Sequence, residues 1–270
     1  TFFIQGLEML ILDEADRMLD LGFMPQLNEI NRAADHRLRQ TLMFSATLDH
    51  AEVNELAMSL LKSPHRVSVG ASYQQHEDIE QRCYFADHLS HKEALLAYLL
   101  KQEQISQLII FTATREDTDR LAKLCDSLGY PAVGLSGKLT QGQRNAVMQG
   151  FSANKHQVLV TTDVASRGLD LLQVSHVVNF DLPKHAEEYV HRIGRTGRAG
   201  AKGSAISLVG PKDWVAFCAI ESFLRRPLPM EKVESLPAKF KGVDLHAPVK
   251  AVKKTKPVVR KAKAKSTDTT

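Results

Sequence analysis

Three carboxylates in four residues, Asp13-Glu14-Ala15-Asp16, directly follow the apolar run Met9-Leu10-Ile11-Leu12. In open α/β sheets, ligands sit at the carboxyl ends of strands. Adjacent acids there can hold a hydrated Mg2+ and orient a water for attack on a phosphate. The same acids could also serve as N-cap and first-turn residues of a following helix, and both readings stay open at this point. Ser45-Ala46-Thr47 follows a second run, Thr41-Leu42-Met43-Phe44. Taken alone, small hydroxyl residues in such a place close turns or cap helices.

Two denser clusters follow. After Val158-Leu159-Val160 come Thr161, Thr162, Asp163, Ser166, Arg167, Gly168 and Asp170. Hydroxyls, a glycine permitting close approach and an Arg/Asp pair could meet a sugar-phosphate chain and a ribose; an ordinary strand-to-helix loop with a local salt bridge is the alternative. The segment His191-Arg192-Ile193-Gly194-Arg195-Thr196-Gly197-Arg198 sets three arginines within seven residues, spaced by glycines. Glycine costs about 1 kcal/mol in a helix interior, which argues against a solvated helix face. Guanidinium groups on such a loop suit bidentate phosphate contact, against the alternative of a surface charge patch.

These clusters need elements to hold them. The runs at 9–12, 41–44, 108–111, 158–160 and 177–180 are near-continuously apolar, as expected of strands covered on both faces in a parallel sheet. Amphipathic segments at 52–61, 92–100 and 117–128 lie between them, so the fold class is α/β. Residues 70–78 turn polar and read as a linker. The pattern predicts a first domain over 1–69, cut short, and a whole second domain over 79–230. The chain opens at Thr1 without an initiator Met, almost directly into a strand-like segment, so a fragment lacking its amino-terminal part is expected.

Composition closes off other classes. The 270 residues are 43% hydrophobic and 24% charged, ample for a core, and no apolar run approaches a membrane span. Cys83, Cys125 and Cys218 are too widely spaced for a CxxC pair and read as reduced thiols, consistent with a cytoplasmic setting. The net charge of +4 is uneven. Residues 231–270 hold 11 Lys and Arg against 4 acids, while the remaining residues carry a net −3. Eight basic residues between Lys250 and Lys265, with no acid or aromatic among them, predict a disordered basic tail. It would act as a solubilising tail or as a polyanion tether.

Taken jointly, Asp13 to Asp16, Ser45 to Thr47, Thr161 to Asp170 and His191 to Arg198 resemble, in order and spacing, the motifs of the DEAD-box RNA helicases. Phe85-Ala86-Asp87-His88-Leu89, His91-Lys92 and Gln141-Gly142-Gln143-Arg144-Asn145 are most similar to its bacterial SrmB-type, ribosome-assembly branch. The resemblance implies two RecA-like domains of parallel sheets flanked by helices, ATP with Mg2+ in the cleft, and RNA lying across both domains. It implies that Asp13 positions Mg2+ through water, Glu14 orients the attacking water, and Asp16 links to the second domain through His191. Ser45 and Thr47 would couple hydrolysis to closure, and Arg195 and Arg198 would be arginine fingers. Gly168 and Asp170 would meet the nucleotide; Thr112, Arg115, Gln141, Arg144 and Thr162 would grip RNA. With 6% aromatic residues, RNA should be held by phosphates and 2′-hydroxyls, independent of sequence. Local unwinding of short duplexes by domain closure follows as the expected activity, with ribosomal RNA or pre-ribosomal particles as partners and no membrane.

One departure weighs heavily: no GxxxxGK[ST] loop occurs. Gly134-Leu135-Ser136-Gly137-Lys138 is a near match only, with Ala132 and Leu139 at the flanking positions, and reads as a decoy. These 270 residues alone are therefore expected to lack appreciable ATPase activity. Two alternatives remain, a non-catalytic RNA-binding module and a DNA-directed translocase of the same superfamily. An upstream reading frame would discriminate the first, and stimulation by RNA against DNA the second. No GxGxxG follows a strand, which sets aside a dinucleotide-binding enzyme.

Overall fold

A computed structural model describes residues 3–45, 51–67, 78–166, 174–197 and 202–243. In the first part, β1 (Met9–Leu12) leads through α1 (Ala15–Asp20) and α2 (Met24–Ala33) to β2 (Gln40–Met43), and α3 (Ala51–Leu60) follows. β1 and β2 pair in parallel, with Leu12 opposite Met43. Pro25 sits in the first turn of α2, where a missing N–H costs nothing. Its carboxyl end is closed by Arg39, which donates to the carbonyls of Asn31 at 3.1 Å and Ala34 at 2.5 Å. Leu12, Ala15, Leu27, Leu56 and Leu60 form the core here.

The expectation that both faces of these strands are covered fails in this part. Leu12 is buried, whereas Met9 and Ile11 are 49% and 54% exposed. Side chains alternate across a strand, and the described helices pack on the face carrying Leu10 and Leu12.

The second sheet is larger. Its elements are β3 (Ile79–Phe85), α4 (Leu89–Gln102), β4 (Leu108–Phe111), α5 (Arg115–Ser127), β5 (Ala132–Leu135), α6 (Gln141–Ser152), β6 (Val158–Thr161), α7 (Asp163–Ser166), β7 (His176–Asn179), α8 (Ala186–Ile193), β8 (Gly203–Val209), α9 (Trp214–Leu224) and β9 (Met230–Glu231). Seven strands run parallel in the order β5-β6-β4-β7-β8-β3-β9. β4, β6 and β7 are buried throughout, as their continuous apolar character requires. Leu108 and Ile110 face α4 and α5 through Leu95, Leu96, Leu99 and Leu121. Ile109 and Phe111 face the other way, toward Phe151. Tyr189, Ile193, Phe217 and Ile220 cover β3 and β8 on that same second side.

Caps explain several boundaries. Thr114 accepts the Asp117 N–H at 3.1 Å, and Glu116 and Asp117 place negative charge at the positive end of α5. Thr140 and Gln143 form a reciprocal capping box on α6. The helix expected at 92–100 starts earlier, because the His88 ring accepts the His91 N–H at 3.2 Å. β3 and β8 lack a continuous apolar run. β8 carries Gly203, Ser204 and Ser207 yet is buried along its whole length, because it lies between two other strands.

The expected tail boundary at 231 also moves. Met230 and Glu231 add a strand beside β3, Val233 is buried in the core, and Leu236 packs against it. His91 Nε2 bonds the Leu236 carbonyl at 3.1 Å, and Asp87 accepts the N–H groups of Lys239 and Phe240. Phe240 meets Phe85 and Trp214 edge-on, and Trp214 Nε1 donates to the Val243 carbonyl at 2.6 Å. Residues 232–243 thus form a strap docked on the second sheet unit. Of the expected linker at 70–78, all but Asp78 lies outside the described residues, as do the basic residues from 250 onward. Among the described residues, no helix is long and apolar enough to cross a membrane.

The strap carries its own pH dependence. The backbone N–H groups of Phe240 and Lys239 hold the Asp87 carboxyl below the usual carboxylate range. A depressed folded value gives stabilisation that is present above the unfolded value, roughly 3.9, and is lost as pH falls through the folded one. Trp214 is the single tryptophan. Its emission is expected to shift to the red as the strap undocks in acid, and Asp87→Asn should loosen the strap already at neutral pH.

Candidate functional site

The exits of β1 and β2 lie side by side because the strands are neighbours in register. Phe44 donates its N–H to Leu12 O at 2.8 Å, and Ala15 donates to Phe44 O at 3.0 Å. This stitching carries Ser45 to Asp16, whose Oδ2 accepts the serine hydroxyl at 2.8 Å. Asp16 Oδ1 accepts the Arg17 N–H at 2.9 Å, so the carboxylate is held at both oxygens. Asp13 and Glu14 remain exposed. Glu14 has φ 53° and ψ 49°, a left-handed conformation unusual for a side chain of its size. Its N–H is tied to Asp13 Oδ1 at 3.0 Å. Non-glycine residues in this region cost about 1–3 kcal/mol and persist where the surroundings over-determine them, often at functional sites. The exposed Asp13 carboxylate, oriented by its bond to the Glu14 N–H, fits a Mg2+ held through water. Thr47 lies outside the described residues.

On the second sheet, the neighbouring order β6-β4-β7 brings three loops together. Arg192 ties them. It is 3% exposed, and its Nε and Nη2 donate to the two oxygens of Asp163 at 2.6 and 2.7 Å. Nη1 reaches Asn179 Oδ1 at 3.0 Å and the Asp181 carbonyl at 2.7 Å. The guanidinium stands over the Phe111 ring, 4.9 Å from its centroid. The reading of all three arginines as phosphate contacts is corrected here. Arg192 falls in the last turn of α8, on its inward face, and is committed to Asp163. Gly194 ends that helix. Arg195 is half-buried and His191 is exposed, while Arg198, Gly168 and Asp170 lie outside the described residues.

Thr196 anchors the loop after α8. It is fully buried, and its hydroxyl reaches the carbonyls of Val174 at 2.6 Å and Ser175 at 3.0 Å. Gly197 has φ +66°, and a Cβ there would fall 2.4 Å from the Ile79 side chain. Close passage against β3 therefore dictates glycine.

Asp181, which sequence reasoning did not single out, organises the loop after β4. Its Oδ2 accepts the Thr112 hydroxyl at 2.9 Å and the Ala113 N–H at 3.0 Å. Its Oδ1 meets Lys92 Nζ at 2.9 Å, and Lys92 also meets Asp213 at 2.8 Å and the Phe180 carbonyl at 2.6 Å. Burial would raise the Asp181 pKa, but Lys92 and these donors outweigh it and hold the carboxyl below its usual range. Thr112 is fully buried, which corrects its expected place in the RNA grip: its hydroxyl is spent on Asp181, and Ala113, Thr114 and Arg115 form the exposed part of that loop. Arg115 lies beside Gly137, where an added Cβ would meet its guanidinium at 3.6 Å. Gln141 is exposed and donates to Asn145 at 3.0 Å. Arg144 is half-buried and donates to the Ala165 carbonyl at 2.7 Å. Thr162 is 8% exposed, and its carbonyl starts the Asp163 turn. The Gly134–Lys138 string closes the edge strand β5, with Ser136 buried and no helix before Gln141.

A polar bond crosses between the two sheet units. Arg17 Nη2, one residue after Asp16, meets Glu188 Oε1, three residues before His191, at 2.9 Å.

Comparison with known proteins agrees with this arrangement. Residues 1–56 match the DEAD/DEAH box helicase family, and residues 90–200 match the helicase conserved C-terminal domain. The ATP-dependent RNA helicase SrmB of Escherichia coli K12 is 42% identical over 243 residues, covering 90% of this chain and 54% of that protein. A crystal structure of E. coli SrmB bound to regulator of ribonuclease activity A superposes with TM-score 0.58 and 40% identity. It covers 62% of this chain and 98% of that one. S. cerevisiae Dbp5 bound to RNA and ADP BeF3 superposes with TM-score 0.74 at 31% identity, over 85% of this chain and 60% of that one. With its parallel sheets in the RecA-like helicase arrangement, the chain belongs to the DEAD-box RNA helicase family. It spans about half the length of the curated relatives it matches.

The Arg192 clamp can be tested directly. Arg192→Lys removes the two-point match to the partly exposed Asp163 and cannot at the same time serve the buried Asn179 side chain and the Asp181 carbonyl. The loss expected in urea unfolding is about 1–3 kcal/mol, the cost of leaving a buried hydrogen-bonding group without its partner.

Proposed function

We propose that these residues serve an ATP-dependent RNA helicase that opens short duplexes locally as its two RecA-like units close. The observation that carries this reading is the cluster at the exits of β1 and β2. Asp16 is locked to Ser45 there, while the exposed Glu14 carboxylate is presented by a left-handed backbone. In this reading Asp13 holds a hydrated Mg2+, Glu14 orients the water that attacks the γ-phosphate, and Arg195 and Arg198 stabilise the charge that develops on it. Bound Mg2+ would neutralise phosphate charge. Ser45, through Asp16, and Thr47 relay the state of the nucleotide to the interface, where His191 meets the acid cluster. Gly168 and Asp170 meet the nucleotide.

Arg115, Gln141, Arg144 and Thr162 line the RNA track in this proposal. Arg115 and Gln141 are its exposed members, at the amino-terminal ends of α5 and α6. The likeness to the RNA-bound form of Dbp5 supports closure as the working state. The names of the relatives, RNA and rRNA helicases, support structured or ribosomal RNA as substrate and ribosome assembly as the setting. Three free thiols, two of them buried, support a reducing, cytoplasmic compartment. We place the functional units at 1–69 and at 79–243, the second including the docked strap. Because no GxxxxGK[ST] loop is present, ATP turnover belongs to an enzyme that unites these residues with such a loop.

In that enzyme, Glu14→Gln is expected to lower RNA-stimulated ATP turnover by about 10²–10⁴-fold while RNA affinity holds, as for loss of a general base. Undiminished phosphate release would sink the assignment. Within this chain, truncation after Val243 spares the strap and removes the basic residues from Lys250 to Lys265. RNA affinity is expected to fall, and the log–log salt slope to flatten by about 0.7 for each single-strand phosphate that the tail no longer neutralises. An unchanged slope would assign the tail to solubility.

A further inference from the structure

Arg17 and Glu188 sit on the two elements that carry the proposed ATP-handling residues. Arg17 is in the first turn of α1, and its own N–H holds Asp16. Glu188 is in the first turn of α8. One turn further along, that helix is fixed by Arg192 on Asp163, and Arg195 follows its end. The bond between them is 2.9 Å long, with the side chains 20% and 14% exposed. An ion pair withdrawn from water to this degree is screened less than a surface pair, and its charge-assisted geometry makes it directional.

Both ends are anchored by separate bonds within their own units. Movement of one unit against the other would therefore load the pair that joins α1 to α8.

We propose that Arg17 and Glu188 form a closure latch, a positioning pair that sets the fraction of molecules in which the two units are closed. This rests on the reading of closure as the working state. The pair acts by holding α1 against α8. Its contribution is electrostatic, so closure should weaken as ionic strength rises even where RNA contacts are saturated.

The test uses the full 270-residue chain with spin labels at Met58→Cys on α3 and Val215→Cys on α9, positions 74% and 66% exposed. Cys218→Ser removes the partly exposed thiol. Cys83 and Cys125 stay unlabelled, because both are buried and burial pushes their thiols up to about 12. Inter-label distances are read with single-stranded RNA present. Arg17→Glu and Glu188→Arg should each reduce the compact fraction about fivefold, the low end of typical coupling between sites. The double charge swap should restore most of it. Thermal melts of each variant separate loss of the latch from loss of fold.

A compact fraction unmoved by either single variant overturns the latch and leaves closure standing. Single variants that act without recovery in the double swap also overturn the pair, assigning the effect to each residue separately. A wild-type chain with no compact population overturns the latch, because the pair then holds no closed state in the chain that carries it, and leaves closure in the loop-bearing enzyme to the Glu14 test.

Discussion

A charge removed from water must be met by opposite charge and by hydrogen bonds on every polar atom, and Arg192 is where that constraint shapes this protein. Its guanidinium plane reaches α7 through Asp163, β7 through Asn179 and the Asp181 carbonyl, and β4 through the face of Phe111. The helix is thereby fixed in angle and depth, and the loop carrying Arg195 inherits its position. Thr196, buried one residue later, repeats the demand on a smaller scale.

A second buried charge does parallel work on the opposite face of the sheet. Lys92 comes from α4 and meets Oδ1 of Asp181 and Oδ2 of Asp213; the other oxygen of Asp181 accepts from Thr112 and Ala113 after β4, and the other oxygen of Asp213 accepts the Leu182 N–H from the loop after β7. Leucines surround it on α4, so the cost of burying the ammonium is offset only by this geometry. The result is a loop after β4 whose base is rigid and whose tip is exposed. That is the form a backbone-reading surface needs, since binding by phosphates requires fixed donors rather than deep pockets. Asp181 thus belongs to both clusters, giving its carbonyl to Arg192 and its carboxylate to Lys92.

The first sheet unit works under a different constraint. Its polar cluster is shallow and solvated, and its order comes from backbone stitching between two strand exits rather than from buried charge. Strain at Glu14 is tolerated because Ala15 is fully buried and hydrogen-bonded to Phe44, which leaves the preceding residue little choice of conformation. The two units place their acids and arginines on facing elements, α1 and α8, so what either can do depends on how they meet.

Much of this was legible in the order of residue types. Continuous apolar runs marked β4, β6 and β7, because strands buried on both faces have no polar side to show. Acids and hydroxyls at strand exits, and arginines at the end of α8, marked the candidate site, because open α/β sheets bind ligands at such ends. β3 and β8 were not legible, since Gly203, Ser204 and Arg82 become strand residues only through the neighbours that pair with them. The docked strap was hidden in the same way. Val233, Leu236 and Phe240 are too sparse to signal an element, and only contact with β3, α4 and Trp214 gives them one. Tertiary structure alone also separated Arg192 from Arg195 and buried Thr112. Residues of one type in one motif are equivalent in sequence, but helix phase and strand neighbours decide which of them meets water and which must be paired inside.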